Sequence, residues 1–565
     1  MQRQRTLEWM ILAVWCVAAP LAAADKPRPA SAKAADAAAT LIAGKIQVRN
    51  VPLGLVPVGI ERRMMVISAD NRHLAYPRVI GGKVHVVLDG QSAGPYDDVG
   101  VGSLAFSADS QRFGYTARRN KQWMTVIDGV EGKRFPGDLA ATLQFSPDGR
   151  RTLFLLQRGG KFHVVLDERE GAPYDGIGEG LQFSPDSKRV AYIAASQKQQ
   201  VLVVDGIEQR PFDGIDGEHV IFSPDSKRLA FVATRGASQH VTLDGVEGPG
   251  YKQIMAANVG FSPDSRRFLY CAMKTGPEQK QVLVVDGEAG PEADQLAQRI
   301  FSPNSQHVAY AARRGRDSFV NFDGVDLSPY DRMGLDSFRF SPDSRRFAYA
   351  VARNDAWFAV IDKSEGPAFD SINVPGICFS PDGQRTIYAG VRGKKSHAVI
   401  DGAEGKPYDK VGVPQHPFSP DNRRVAYVAV HGKGCVLVVD GVEGQAYDSL
   451  DTELPLFSPD SQRVAIAVEQ DDKALAVVDG VAGPGYDKIK PPVFSPDSRH
   501  FFYKALRGDE NLLVVDGVEL PAYTAFFGSP QSEFNGPNTL HVLAGREHEL
   551  LRVEVTIVPP AKNSP

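Results

Sequence analysis

The sequence predicts an all-β protein assembled from repeated four-stranded antiparallel sheets, and three observations carry that reading. A unit of about 39 residues recurs from near Met64 to the C-terminal end. Most units carry two turn signals, Phe-Ser-Pro-Asp-Ser in the first half and Asp-Gly after a β-branched run in the second. Between these turns small and large apolar residues alternate, and no segment has a helical period.

The phenylalanine of the first turn stands at Phe106, Phe145, Phe183, Phe222, Phe261, Phe301, Phe340, Phe379, Phe418, Phe457 and Phe494, at intervals of 37 to 40 residues. Ile67-Ser68-Ala69-Asp70-Asn71 supplies an earlier copy and Phe534 opens a degenerate last one, making twelve to thirteen. Strand a of each unit ends at Phe-Ser. In Ser-Pro-Asp-Ser the proline presets the turn while the serine and aspartate side chains can bond nearby backbone N–H groups. Strand b follows, as in Arg189 to Ala194, with the alternation of a strand buried between packed sheets. Strand c ends at an Asp-Gly pair such as Asp205-Gly206, suited to a two-residue turn with positive backbone angles. Strand d carries an aromatic-aspartate pair, among them Tyr96-Asp97, Tyr174-Asp175, Tyr408-Asp409 and Tyr486-Asp487, read as blade packing and capping.

A single such sheet has two apolar faces and buries neither, so sheets must stack, and their twist brings the stack round into a closed ring, a β-propeller. Rings typically hold four to eight blades, so the expectation is tandem β-propellers: about six blades over residues 41–297 and six or seven over 298–558. One unusually large ring or an open stack are the alternatives. The boundary is placed where three departures coincide: the extended loop Lys274 to Lys280, the segment Pro291-Glu292-Ala293-Asp294 without its aromatic, and Asn304 in place of aspartate. The strand-like segment Lys45 to Asn50 could close a ring by pairing with strands from the opposite chain end.

The first 24 residues read as a secretory signal peptide, with basic Arg3 and Arg5, an apolar stretch from Met10 to Ala19 and the small run Ala22-Ala23-Ala24. Its apolar residues, roughly 15, fall short of the roughly 20 a membrane span needs. Residues 25–40 read as an Ala/Pro/Lys-rich tether and 559–565 as a tail, so a periplasmic or secreted chain with no integral membrane segment after cleavage is expected. Cys271, Cys378 and Cys435 then remain, each in an apolar strand-like segment, as buried thiols and not a disulfide framework. With 64 basic against 68 acidic residues there is no global basic field, so nucleic-acid binding is not expected.

The recurring Phe-Ser-Pro-Asp-Ser or Phe-Ser-Pro-Asp-Gly before a strand resembles the WD-repeat-like units of TolB-type bacterial β-propellers, from Met64 to Ile557. The resemblance implies a propeller of the cell envelope. Similar repeats also occur in prolyl-oligopeptidase-like propellers, but no Gly-x-Ser-x-Gly elbow appears here.

Candidate sites are weighed on this frame. His85, His163, His240 and His397 share one position in strand c, four residues before the turn aspartate. If strand a is innermost, strand c lies about 10 Å further out, so these rings cannot converge on one ion and are read as packed side chains. The repeated turn aspartates match no calcium loop, and each has a local backbone task. No metal, cofactor or catalytic residue is assigned. Antiparallel order puts the a-b and c-d turns on one face and the b-c and d-a loops on the other, where sequence varies. There the b-c loops are basic, with Arg118, Arg119 and Lys121, then Arg313, Arg314 and Arg316, then Arg392, Lys394 and Lys395, and this face is the candidate binding surface. The leading functional expectation is a non-enzymatic scaffold binding a protein, glycan or other envelope component through these loops. The alternative is a hydrolase or lyase acting on a polysaccharide at a ring mouth.

Overall fold

The computed structural model describes residues 40–55, 64–100, 102–178, 180–334, 336–373, 376–432, 434–450, 456–528 and 534–558. The expected signal segment 1–24, all of the tether but Thr40, and the tail 559–565 lie outside the described residues. The described residues form thirteen antiparallel sheets and include the short 3-10 segment Gly217–His219. No helix among them is long and apolar enough to cross a membrane.

Blade 4 shows the common plan. Strand a comes in two pieces, Gly176–Ile177 and Gln182–Phe183, both paired with strand b, Val190–Ser196. Strand c, Gln199–Val204, pairs with b, and the edge strand d, Ile207–Glu208, pairs with c. Phe212 then bridges back to Gln200 and continues the edge. The turns use the chemistry their residues supply. Asp205 and Gly206 sit at φ 54° and 80°, as a two-residue hairpin turn requires. In the a-b turn Ser187 N–H donates to Ser184 O at 2.9 Å, and the Ser184 hydroxyl donates to Asp186 Oδ1 at 2.7 Å.

These turns also stitch neighbouring blades. Asp186 N–H donates to Ser226 Oγ of blade 5 at 2.9 Å. Arg189 Nε donates to Asp205 Oδ2 at 3.1 Å, and its guanidinium lies 5.3 Å from the centroid of the Phe222 ring of the next blade. The same arginine recurs at Arg151, Arg228, Arg346, Arg385, Arg424 and Arg463, each on its own turn aspartate and on a phenylalanine of the following blade. The Ser184 hydroxyl and the Lys188 amide hold the Asp186 carboxyl below its ordinary range. The repeated carboxylates thus have the backbone task read from their turns.

The hydrophobic seams run between sheets. Tyr174 of blade 3 meets Tyr192 of blade 4 edge to face at 6.2 Å, and Tyr486 meets Tyr503 at 6.0 Å in the same way. Each sheet shares a core with the next, and the division expected near 297 is corrected by one of them. Leu269, Cys271, Leu283 and Ala293 of blade 6 pack with Val308, Tyr310 and Ala312 of blade 7 without a break. The three departures are absorbed locally. Lys274 and Lys280 pair with Glu292 and Asp294, Ala293 still bridges Gln281, and Asn304 accepts from Ser302 as the aspartates do.

The thirteenth sheet joins the chain ends. Ile46–Leu55 pairs with Glu549–Ile557, placing Val48 opposite Val555, beside Thr539–Arg546 and Ala525–Phe527. This sheet packs on blade 12 through Leu513, Tyr523 and Val553 and on blade 1 through Leu53, Tyr76 and Leu543. The packing is therefore one closed succession of thirteen blades, and the large single ring takes the place of two.

At the closing seam Arg72 of blade 1 donates to the His541 ring, Arg552 Nη1 donates to Arg72 O at 3.2 Å, and His73 Nδ1 lies 2.6 Å from Asp89 Oδ2. Burial, then Arg72 and Arg552, push His541 from 6.5 down to about 4. The unfolded chain thus binds a proton there that the folded chain refuses, and stability falls as pH drops from about 6.5 to about 4. His73 has the opposite sign. Its bond to Asp89 raises it, so its contribution is present below 6.5 and is lost as pH rises through the raised value. His541→Gln is expected to flatten the acid-side loss in urea midpoints measured from pH 7 to 4, and an unchanged slope would refute this account. A second test concerns Tyr388, which is buried with a hydroxyl that has no partner among the described residues, whereas Tyr408 donates to Glu443 at 2.8 Å. Tyr388→Phe should be neutral or stabilising by up to about 1 kcal/mol, and Tyr408→Phe destabilising by about 1 kcal/mol, read as shifts in denaturant midpoint.

Candidate functional site

The b-c loops are held from below by the d-a junctions. Asp370 Oδ2 accepts from Gly393 N–H at 2.6 Å, and the same bond recurs from Asp175 to Gln197, Asp409 to Gly432 and Asp487 to Gly508. A lysine at the start of strand c completes the clamp at several seams, as Lys395 does on Asp409 and Lys473 on Asp487. The lysine, followed by the backbone N–H, holds the Asp409 and Asp487 carboxyls below their ordinary range.

The strand-end arginines are part of this frame. Arg392 pairs with Glu404 at 2.7 Å, donates to Ala368 O at 2.9 Å and lies 4.8 Å from the centroid of the Phe369 ring of the preceding blade. Arg119 repeats this on Glu131, Pro95 and Tyr96. Arg314 pairs with Asp326 and donates to Glu292 O at 2.8 Å. The preceding blade has Ala293 at the aromatic position, and Arg314 stacks at 5.2 Å on Phe319 of its own strand c instead. Arg118 sits over Trp123 at 5.4 Å and within 3.3 Å of Asp98.

Five of the nine cations picked from the sequence are thus engaged in the frame, Arg119, Arg314, Arg392 and Lys395 at seams between blades and Arg118 within blade 2. Lys121, Arg313, Arg316 and Lys394 are exposed, and among the described residues their side chains carry no hydrogen bond or ion pair. Nor do the nine form one patch, since they lie on blades 2, 7 and 9. For Arg119, Arg314 and Arg392 the signal is positional. The structural arginine is the last residue of strand b with an acidic residue twelve positions on, as Arg119 with Glu131 and Arg392 with Glu404.

The strand-c histidines belong to the same frame. His163 and His397 each place Nδ1 3.1 Å from Glu170 and Glu404, His240 lies 3.5 Å from Glu247, and His85 lies 3.3 Å from the Ser92 hydroxyl. Among the described residues no group of three His, Cys, Asp or Glu side chains is placed to hold a metal ion. Cys271 is buried and Cys378 and Cys435 are half-buried; burial raises the thiols of Cys271 and Cys378. Toward the inner strands, a shallow recess over blades 2 to 4 is lined by Phe106, Gln144, Phe145, Pro147, Gln182 and Phe183, with no ionisable group. One inward feature has no counterpart among the sequence candidates. Lys504 stands in the middle of strand b of blade 12, beside Lys490 of strand a.

No protein-family model matches the chain, and no curated protein does. Among solved structures, a eukaryotic initiation factor is 14% identical over 60% of this chain and 96% of its own, with a TM-score of 0.28. TolB from Acinetobacter baumannii is 11% identical over 58% of this chain and 79% of its own, at 0.20, and the β-propeller domain of the Trilobed protease from Pyrococcus furiosus is 11% identical over 48% and 95%, at 0.22. The blade architecture is established by strand pairing and inter-blade cores and does not lean on these likenesses.

The two groups of cations should separate on mutation. Arg392→Ala is expected to cost about 1 kcal/mol, because it removes an ion pair, a carbonyl bond and a stacked ring contact, whereas Lys394→Ala should stay within about 0.5 kcal/mol. Thermal midpoints of the two variants check this; equal shifts would count against the division.

Proposed function

We propose that this protein is an exported, non-enzymatic scaffold that binds an acidic protein, glycan or other envelope component on its b-c and d-a face. The observation supporting it is that one clamp, aspartate to turn N–H, carries turns whose exposed residues differ from blade to blade: Asn120-Lys121, Gly315-Arg316, Gly393-Lys394, Asp471-Asp472. A rigid frame with interchangeable tips suits recognition, because the tips cost little conformational entropy to order. The unpaired cations supply attraction without a stability task. The export signal and the TolB-like turns, read from sequence, support an envelope setting.

Replacing Lys121, Arg313, Arg316 and Lys394 together by glutamate should reduce saturable capture of the envelope component at least about tenfold while leaving the thermal midpoint in place. Capture by the unmodified chain should also weaken as salt rises from about 0.05 to 0.5 M. Undiminished capture by the four-fold variant would remove this surface from the proposal.

A further inference from the structure

Strand b of blade 12, Phe501–Arg507, carries Lys504 at a register that is uncharged in every other blade, where Thr116, Ile193, Val232, Cys271, Ala350 and Val428 are examples. Its side chain is half-buried at the seam with the closing sheet, with Nζ 5.4 Å from the centroid of the Phe526 ring. Directly across the a-b pair, Lys490 N–H donates to Lys504 O at 2.8 Å, so the two lysines are cross-strand neighbours. Lys490 is the charged group that faces Lys504, and it is exposed. Among the described residues no carboxylate comes within ion-pair distance of Lys504, unlike Arg119, Arg314 and Arg392 of the b-c face.

An amine desolvated at a seam and set beside a second cation gives up its proton more readily than a solvated lysine, so more of it is neutral and nucleophilic near neutral pH. Burial first, and then the Lys490 charge, push Lys504 from 10.5 down to about 8. Lys490, exposed and charged, is placed to receive an anion arriving at the same spot.

We propose that Lys504 and Lys490 form a carbonyl-capturing site for small 2-oxo acids, with Lys504 forming the covalent bond and Lys490 holding the carboxylate. The neutral Lys504 nitrogen attacks the carbonyl carbon and a C–N bond forms. The two nitrogen-bound protons and the carbonyl oxygen leave as water, and a C=N bond replaces C=O. The step consumes no oxidant or reductant. It is independent of the scaffold reading, because the pair lies on the inner strands of blade 12 and not on the basic loops of blades 2, 7 and 9.

The test uses the full chain, incubated with pyruvate or with propionaldehyde at pH 7, reduced with cyanoborohydride and mapped by peptide mass spectrometry. Pyruvate is expected to label Lys504 at least about tenfold more than any exposed lysine, with a pH profile that turns near 8 and not near 10. Lys490→Gln should lower pyruvate labelling more than propionaldehyde labelling, because only the former loses a carboxylate partner. Lys504→Arg should abolish the label at that peptide. Labelling spread evenly over the lysines, or equal loss of both reagents in Lys490→Gln, would overturn the proposal. The mapping of the unmodified chain decides the first point even if a variant fails to fold.

Discussion

A four-stranded sheet of 39 residues has two apolar faces and nothing of its own to cover them, and everything else in this molecule follows from how each sheet borrows cover from the next. The edge strand d sends an aromatic ring into strand b of the following blade, as Tyr174 does to Tyr192 and Phe212 to Phe231 at 5.7 Å. The seam is sealed twice more, by the strand-end arginine on one face and by the turn serine and arginine on the other. Such a stack is stable only when no outer face is left over. The closing sheet meets that demand by drawing strands from both chain ends, so that Leu53 and Leu543 cover blade 1 while Ile46 and Val555 lie against blade 12.

The same constraint decides what is available for function. Five of the nine charges that look like a binding surface in one dimension are consumed by the frame, where a guanidinium can hold a carboxylate, a carbonyl and a ring at once. What remains for recognition is the tip of each b-c turn, held below by an aspartate and free above. Departures from the repeat then become informative. Ala293 leaves Arg314 without its usual ring and Phe319 supplies one, which is repair. Lys504 places a charge where its siblings are uncharged, with only the Phe526 ring and no carboxylate among the described residues against it, which is not.

Much of the fold was legible in the sequence because its signals are local. Proline and serine in Ser-Pro-Asp-Ser, and the aspartate and glycine of the hairpin turns, act within a few residues of themselves, so strand order and blade count could be read directly. The strand-c histidines sit beside partners of their own blades, Glu170, Glu247, Glu404 and Ser92. The candidate site was less legible. Arg119 and Lys121 stand two residues apart in one basic loop, yet the first is locked on Glu131, Pro95 and Tyr96 and the second is free. An acidic residue on strand d of the same blade and groups from the preceding blade make the difference, and a single loop contains neither.

Sequence by itself determined the all-β class, the four-strand unit, the turn chemistry and the repeat of about 39 residues, because each depends on backbone preferences and on contacts within one unit. Tertiary structure alone decided that the blades pack without a break past residue 297 and close once, at the joined chain ends. Ring size is set by the small angle each seam adds, summed over contacts such as Cys271 against Tyr310, and no residue in isolation carries that angle.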